Sequence, residues 1–393
     1  MGLFSPQDTP LLSLPECHRC GLYRHCNSPK MEPFGSGKRS ILIVGEAPGK
    51  EDDSQGQPFV GASGQYLRRV LAKLECNLDR CKVTNAIICR PPNNKMDARY
   101  LQACRPAFQK TLRDRHYSVV ITLGEWALRQ VVPDAWARYG GPINRWRGWV
   151  IPLLDHGAWL CPTYHPFYIN RSGGNPILER TFQSDLAAAI NLQWRPPQGF
   201  VTLSDLTSRV QIETDGAVNR LHDLATKSGI LAFDYETTGL KPDNSEHHIV
   251  SCSFCLNGED PWAAMMGPDE LEALGPVLFS PKLRKVASNL KFEERWTLKT
   301  FGRGVVGWHW DTMLAAHVLD NRSGITSIKF QSYVRLGIGG WEDGIKKYLE
   351  APDSNRMNRI GSCPRDALLT YNALDSLIEY MVMEQQKSEM GVD

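Results

Sequence analysis

Four carboxylates and a phenol in the second half of the chain have the spacing of a hard-cation site. The segment ILAFDYETTGL places Asp234 and Glu236 two residues apart. On a strand, positions i and i+2 share a face, so both carboxylates point the same way. In YNALD, Tyr371 and Asp375 stand one helical turn apart on one face. SNLKFEERW puts Asn289 and Glu293 at i, i+4. Carboxylates converging on an oxygen-preferring cation describe a Mg2+ or Mn2+ site. Two such ions can activate a water and stabilise the leaving oxygen in phosphodiester cleavage. DxE alone is common on exposed strand edges; DxETTGL, NxKFE and YxxxD in this order form a specific signal.

The first half offers thiols instead. Cys17-His18-Arg19-Cys20 is a CxxC, Cys89 lies in CRPPNN, and Cys104 follows. Four thiolates suit either a structural Zn2+ or an iron–sulfur cluster, and the spacing does not choose between them. Cys26 is a rival ligand, whereas Cys76, Cys81 and Cys161 read as core or surface positions. The Gly-rich run Gly45–Gly64 follows an apolar stretch and could present backbone N–H groups to phosphate. It has the spacing of neither a Walker A loop nor GxGxxG.

These groups need elements to hold them. Ile41–Gly49 reads as a buried strand entering a loop, Tyr66–Leu74 as an amphipathic helix, and Cys81–Pro92 as a second strand. Ser118–Val132 reads as strand, Gly turn and helix. A helix carrying Phe182, Leu186 and Ile190 is stopped by Pro196-Pro197. Beyond it, Asp215–Thr226 reads as a helix and Ile230–Tyr235 and Ile249–Leu256 as strands. A helix near Asp269–Leu278, a strand near Lys285–Ala287 and further helices complete the chain. Alternating strands and helices make both halves α/β, the first around a mostly parallel sheet. The expected division is residues 1–195, a linker at 196–204, and residues 205–393. This fits a length of 393 residues. The net charge of +2 hides +9 over residues 1–195 and −7 beyond, so the basic half suits phosphate partners. No apolar run is long enough to span a membrane. The opening MGLFSPQDTPLLSLPEC lacks the features of an export signal. Eleven cysteines without such a signal point to a reducing cytoplasm and to metal or cluster ligands.

Residues 14–192 resemble the iron–sulfur uracil-DNA glycosylases called family 4. The resemblance rests on GEAPG, Glu51-Asp52, GQPFVGASG, TNAIICRPPNN, Cys104, TLG at Thr122–Gly124 and TYHP at Thr163–Pro166, in the family's order. It implies an α/β/α sandwich and a [4Fe-4S] cluster on Cys17, Cys20, Cys89 and Cys104. It also implies that Phe59 stacks on a flipped uracil, that Asn85 reads the O4/N3 edge, and that His165 donates to O2 as negative charge grows there. Glu46, with the backbone of Gly45 and Ala47, falls where the family positions the water and contacts uracil. Two departures stand out. Phe167 replaces the family's small residue after His-Pro, and Leu153–Leu160 reads as an insertion. Both are expected near a DNA-inserting loop.

Residues 200–393 resemble the DEDDy 3′–5′ proofreading exonuclease domain of family A DNA polymerases, through FDYETTGL, SNLKFE, WDTMLAAHVLD and YNALD. The resemblance implies a ribonuclease H-like α/β domain. In it Asp234, Glu236 and Asp375 bind Mg2+ or Mn2+ and Tyr371 orients the attacking water. Glu293 stands where the family has Asp; it keeps the charge, changes the reach, and can still meet a metal through water. Asp311 reads as structural. The 18 residues after Asp375 leave no room for polymerase palm, fingers or thumb. A separate polymerase partner, or a longer fusion, is the corresponding expectation.

Together these readings give a bifunctional fidelity protein, bacterial or phage-encoded, acting on uracil-containing DNA and on 3′ single-stranded ends. The rival readings are an exonuclease carrying an inactive, uracil-sensing or polymerase-docking glycosylase fold, and a non-enzymatic replisome scaffold.

Overall fold

The sequence ILIVG is apolar throughout, and in the computed structural model it forms strand β1 (Ile41–Gly45), buried at every residue. Residues 16–353 and 355–392 are described. The opening segment, read above for export signals, therefore lies almost wholly outside the described residues. The chain divides between Phe200 and Val201 into two compact units.

In the first unit β1 is joined by β2 (Lys82–Asn85), β3 (Val119–Leu123), β4 (Ile151–Leu153) and β5 (Ala158–Thr163), in the order β2-β1-β3-β5-β4. All pairings are parallel except that of the edge strand β4. Parallel strands covered on both faces must be apolar on both, which is why ILIVG and VVITL do not alternate. Ile41, Ile43, Val119 and Ile121 pack with Leu67, Val70 and Leu71 of the helix Ala62–Lys73 and with Phe182 and Leu186 of the helix Pro176–Asn191. The helix Glu125–Val131 also packs on β1 and β3. The result is a sandwich whose parallel strands end together, with Gly45 paired to Asn85 and Leu123 to Thr163.

Two expectations change. The strand expected over Cys81–Pro92 stops at Asn85. Ala86 and Ile87 still donate to the carbonyls of Gly45 and Glu46, after which the chain turns away and Pro91 and Pro92 bring no N–H to continue a ladder. The expected insertion Leu153–Leu160 is the tip of an edge hairpin, in which Leu153 pairs with Ala158 across a short 3-10 turn. It sits at the start of β5. His165 lies beyond the other end, roughly 20 Å away along the six-residue strand.

The second unit holds β6 (Gln211–Glu213), β7 (Gly229–Thr237), β8 (Ile249–Leu256), β9 (Glu259–Met265), β10 (Leu283–Ala287) and β11 (Trp308–Asp311). Their order is β11-β10-β7-β8-β9-β6, with β7, β8 and β9 antiparallel neighbours and β10 and β11 parallel to β7. Leu231, Phe233 and Tyr235 enter one core, with Leu221 of the helix Ala217–Thr226 and Leu274 of the helix Pro268–Leu278. Ile230 and Ala232 enter the opposite core, against Leu374, Leu377 and Ile378 of the 26-residue helix Arg365–Met390. Strand alternation then puts Asp234 and Glu236 on that second face, beside the long helix. No described helix is long and apolar enough to cross a membrane.

Candidate active sites

The first site gathers at the C-terminal ends of parallel strands, the usual crevice of an open α/β sheet. Gly45 ends β1, Asn85 ends β2, Gly124 follows β3, and His165 follows β5. Gly45 carries no side chain because the space is taken. A Cβ there would collide with Oδ1 of Asn85 and with the ring of Phe59. Phe59 itself has φ 59° and is buried, so a costly left-handed backbone holds its ring against Gly45. Asp52 fastens this corner: Oδ1 accepts from the N–H of Val60 at 2.8 Å and Oδ2 from that of Gly49 at 3.0 Å.

Across the crevice, Gly124 (φ 95°) is wedged between the Glu46 carboxylate and Cβ of His165. Glu46 Oε1 accepts from the N–H of Trp126 at 3.1 Å. Burial outweighs that bond and, helped by the charge of Glu125, raises the Glu46 carboxyl to about 7. His165 Nδ1 accepts from the N–H of Phe167 at 3.1 Å. Burial pushes its imidazole down to about 4. A neutral ring whose Nδ1 is an acceptor carries its proton on Nε2, so His165 presents a single N–H donor on that side. Thr163 donates to Asp185 at 2.7 Å, and Asp185 accepts from Arg147 Nε at 2.9 Å, which anchors the strand end before His165. Phe167 is 53% exposed, with the Arg171 guanidinium over its ring.

The cysteines converge on the same unit. Glu16 N–H donates to the Ala103 carbonyl at 2.8 Å, which brings the Cys17–Cys20 turn to the helix bearing Cys104. Lys30 N–H donates to the Cys89 sulfur at 3.2 Å. Burial pushes the Cys89 and Cys104 thiols up to about 12; Cys104 also feels Cys20 and Cys17, and Cys89 feels Cys26 and Cys104. Cys26 lies close enough to Cys89 for the two thiols to act on each other.

In the second unit, Asp234 and Glu236 of β7 and Asp375 of the long helix offer ligand oxygens all within 4.8 Å of one another. Asn372 Nδ2 donates to Asp234 Oδ2 at 2.9 Å, and Asn372 is itself held by Ser251 Oγ at 2.9 Å. Trp341 Nε1–H donates to Asp375 Oδ1 at 2.8 Å. Lys329 Nζ donates to the Tyr371 hydroxyl at 3.3 Å, and its charge draws on Asp234, Glu236 and Asp375. Burial nonetheless keeps these carboxyls above the usual range, helped by the charge of Asp375 on Asp234, of Asp234 and Asp375 on Glu236, and of Glu342 on Asp375. Glu293, in the first turn of the helix Lys291–Phe301, is buried and feels the charge of Asp234. Asp311 accepts from the N–H groups of Asn289 and Met313 at 3.0 and 2.9 Å, joining β11 to the loop before Glu293.

Residues 32–189 match the uracil DNA glycosylase superfamily, and residues 210–339 a 3′–5′ exonuclease family. The type-4 uracil-DNA glycosylase of Pyrobaculum aerophilum is 32% identical over 176 residues, 44% of this chain and 86% of that protein. The chain belongs to the type-4 uracil-DNA glycosylases. The Archaeoglobus fulgidus type-4 enzyme is 31% identical over 172 residues, covering 43% of this chain and 84% of its own length. Among solved structures, Escherichia coli RNase D is similar at a TM-score of 0.34 and 14% identity, over 46% of this chain and 45% of that one. The chain is thus a type-4 glycosylase with a 3′–5′ exonuclease domain in the same polypeptide, and a hydrolase by both memberships.

Four residues at the exonuclease centre escape sequence reasoning: Lys329, Trp341, Asn372 and Glu379. Glu379 had a readable signal, since Tyr371, Asp375 and Glu379 step along one helix face at i, i+4, i+8. Asn372 lies next to Tyr371 in the same motif. Lys329 and Trp341 reach the carboxylates only through the folding of the 325–345 segment, which no local pattern announces. On the glycosylase side, Gly124 lies within the TLG motif, but its role as the spacer between Glu46 and His165 is visible only in three dimensions.

Proposed function

We propose that the first unit hydrolyses the N-glycosidic bond of uracil in DNA, and that the second removes 3′-terminal nucleotides in the service of replication fidelity. The observation that carries the first activity is the Phe167 N–H donating to His165 Nδ1 at 3.1 Å, which leaves Nε2 to carry the proton. A flipped uracil resting on Phe59 would meet Asn85 at its O4/N3 edge. The Nε2–H of His165 is free to donate to O2, where charge accumulates as the base departs, and a neutral donor stabilises that anion without first giving up a proton. Glu46, raised to about 7, is partly ionised near neutrality. It can take a proton from a water attacking the sugar and oppose the positive charge on the oxocarbenium-like ring. Gly45 and Ala47 contribute backbone to the same loop.

The cysteine set fits an iron–sulfur cluster on Cys17, Cys20, Cys89 and Cys104. Sulfurs around one tetrahedral Zn2+ sit about 3.8 Å apart. Among the described residues, the group of metal-ligand atoms lying within 4.8 Å of one another is the carboxylate triad, not these thiols. A cluster of several irons accommodates the wider spread, and its chemistry here is structural, tying the N-terminal turn to the helix Ala98–Arg113.

The carboxylate triad fits hard divalent cations, Mg2+ or Mn2+. When bound, such ions supply an activated water and stabilise the leaving oxygen. Asn372 fixes one oxygen of Asp234 and leaves the other for a ligand. Trp341 does the same for Asp375. Lys329 holds the Tyr371 hydroxyl beside the place where a water would be oriented.

A 3′-labelled and an internally uracil-substituted oligonucleotide, each assayed with and without EDTA, test both halves. Abasic-site formation, revealed by alkali, is expected to survive the chelator, and 3′ shortening to vanish. Shortening without any abasic product would leave an exonuclease carrying an inactive glycosylase fold.

A further inference from the structure

A buried amide ties the end of the strand that carries Asn85 to the helix that bears Cys104. Gln130, in the helix Glu125–Val131, is 2% exposed. Its Nε2 donates to the Ala86 carbonyl at 3.1 Å and to the Leu101 carbonyl at 3.2 Å. Its Oε1 faces Nη2 of Arg105 at 3.5 Å. Two carbonyls on one side and a guanidinium on the other leave the amide a single orientation. Leu101 belongs to the helix Ala98–Arg113, one turn before Cys104. Ala86 directly follows Asn85. Its N–H donates to the Gly45 carbonyl at 2.8 Å, and the Ile87 N–H donates to the Glu46 carbonyl at 3.0 Å.

The Ala86 carbonyl and the Ile87 N–H are two ends of one planar peptide. Gln130 therefore holds one end of the peptide whose other end holds the backbone of Glu46. Turning that plane to free the carbonyl would swing the N–H away from Glu46. It would also pull on Asn85, whose Oδ1 stands where a Cβ of Gly45 would lie. A tie between two helices needs only the bond to Leu101; it leaves the bond to Ala86 without a reason. We propose that Gln130 is a positioning residue for uracil excision: through the Ala86–Ile87 peptide it sets Glu46 and Asn85 relative to each other, from an anchor on the helix that bears Cys104. This rests on the glycosylase reading above.

The test makes two replacements of Gln130 in the full chain, so that one decides if the other does not fold. Gln130→Glu keeps the size and sets a carboxylate beside Arg105, whose buried Nε has no partner. It turns an acceptor-only oxygen toward the Ala86 and Leu101 carbonyls. Gln130→Met keeps the length and removes both donors. Each should lower the single-turnover rate of uracil excision at saturating DNA by about tenfold or more, since a displacement of about 1 Å in a positioning group costs on the order of 10²-fold. Each should also weaken inhibition by free uracil. The DNA concentration for half-saturation and the iron content should stay at the parent values. Leu112→Ala, in a buried position near the end of the helix Ala98–Arg113, supplies the comparison. Its cavity should lower the melting temperature and leave the excision rate unchanged. Parental rate and parental inhibition by uracil in the Gln130 variants would overturn the proposal and leave Gln130 as a tie between helices. An equal loss of rate in Leu112→Ala, or a loss of iron together with the rate, would overturn it as well. Failure of the glycosylase reading looks different: a parent chain that forms no abasic site in uracil-containing DNA would remove that reading and this proposal with it.

Discussion

The indole N–H of Trp341 reaches the Asp375 carboxylate at 2.8 Å, from a loop 34 residues earlier in the chain. That bond takes one of the two Asp375 oxygens and sets the direction of the other. Trp341→Phe keeps the buried ring and removes the donor. Partners of metal ligands typically contribute about 10–100-fold. A loss of that order in 3′ shortening is expected, with uracil excision unchanged, in assays run on the same preparation.

Gly45 meets Asn85 and Phe59 where any Cβ would stand. Gly45→Ala forces the amide or the ring from its place, and a displacement of about 1 Å in a positioning group costs on the order of 10²-fold. Uracil excision should fall by at least that much, while Mn2+-dependent shortening of a 3′ end stays at the parent rate. Single-turnover kinetics on the two substrates separate the effects.

The pH profile of excision follows from Glu46 near 7 and His165 near 4. The rate should climb about tenfold per unit from roughly pH 5 and level off above about 7, as Glu46 ionises. His165 stays neutral throughout that range and adds no second limb. Glu46→Gln should flatten the profile at a low rate. Stability carries the opposite sign. The folded state binds the Glu46 proton more tightly than the unfolded chain, so this contribution is complete below about 4.5 and lost as pH rises through about 7. Thermal melts should therefore show Glu46→Gln gaining on the parent as pH rises from about 4.5 to about 7 and keeping that gain above it.

The elements were largely legible because their signals are local. Parallel strands buried on both faces read as unbroken apolar runs, as in ILIVG and VVITL. The DxE spacing fixed the orientation of Asp234 and Glu236 before any fold was known. What stayed hidden is set by closure of the chain. Position 59 reads as an ordinary apolar residue, yet it needs a left-handed backbone to face Gly45. Leu153–Leu160 reads as an addition near His165, yet strand pairing sends it to the far end of β5. Lys329 and Trp341 belong to no motif, and only the packing of their segment against the long helix brings them to Tyr371 and Asp375.

Cys26 and Cys89 are neighbours that act on each other, so both are candidates for the third thiolate of the proposed cluster. The surroundings of the two thiols favour Cys89. Cys104 acts on Cys89, and Cys17 and Cys20 act on Cys104, whereas Cys26 feels the carboxylate of Asp53. Cys89 is also buried, with the Lys30 N–H aimed at its sulfur at 3.2 Å, a bond that favours a thiolate. Protein purified without oxygen should be brown and carry about four irons per chain, as the family assignment of the cluster implies. Cys89→Ser should lose the colour and lower the melting temperature of the glycosylase unit, because ligand binding and local folding are linked. Cys26→Ser should keep both iron and colour. Iron analysis and the visible spectrum read this directly: a colourless parent with stoichiometric zinc, or loss of iron from Cys26→Ser and not from Cys89→Ser, would overturn the ligand set.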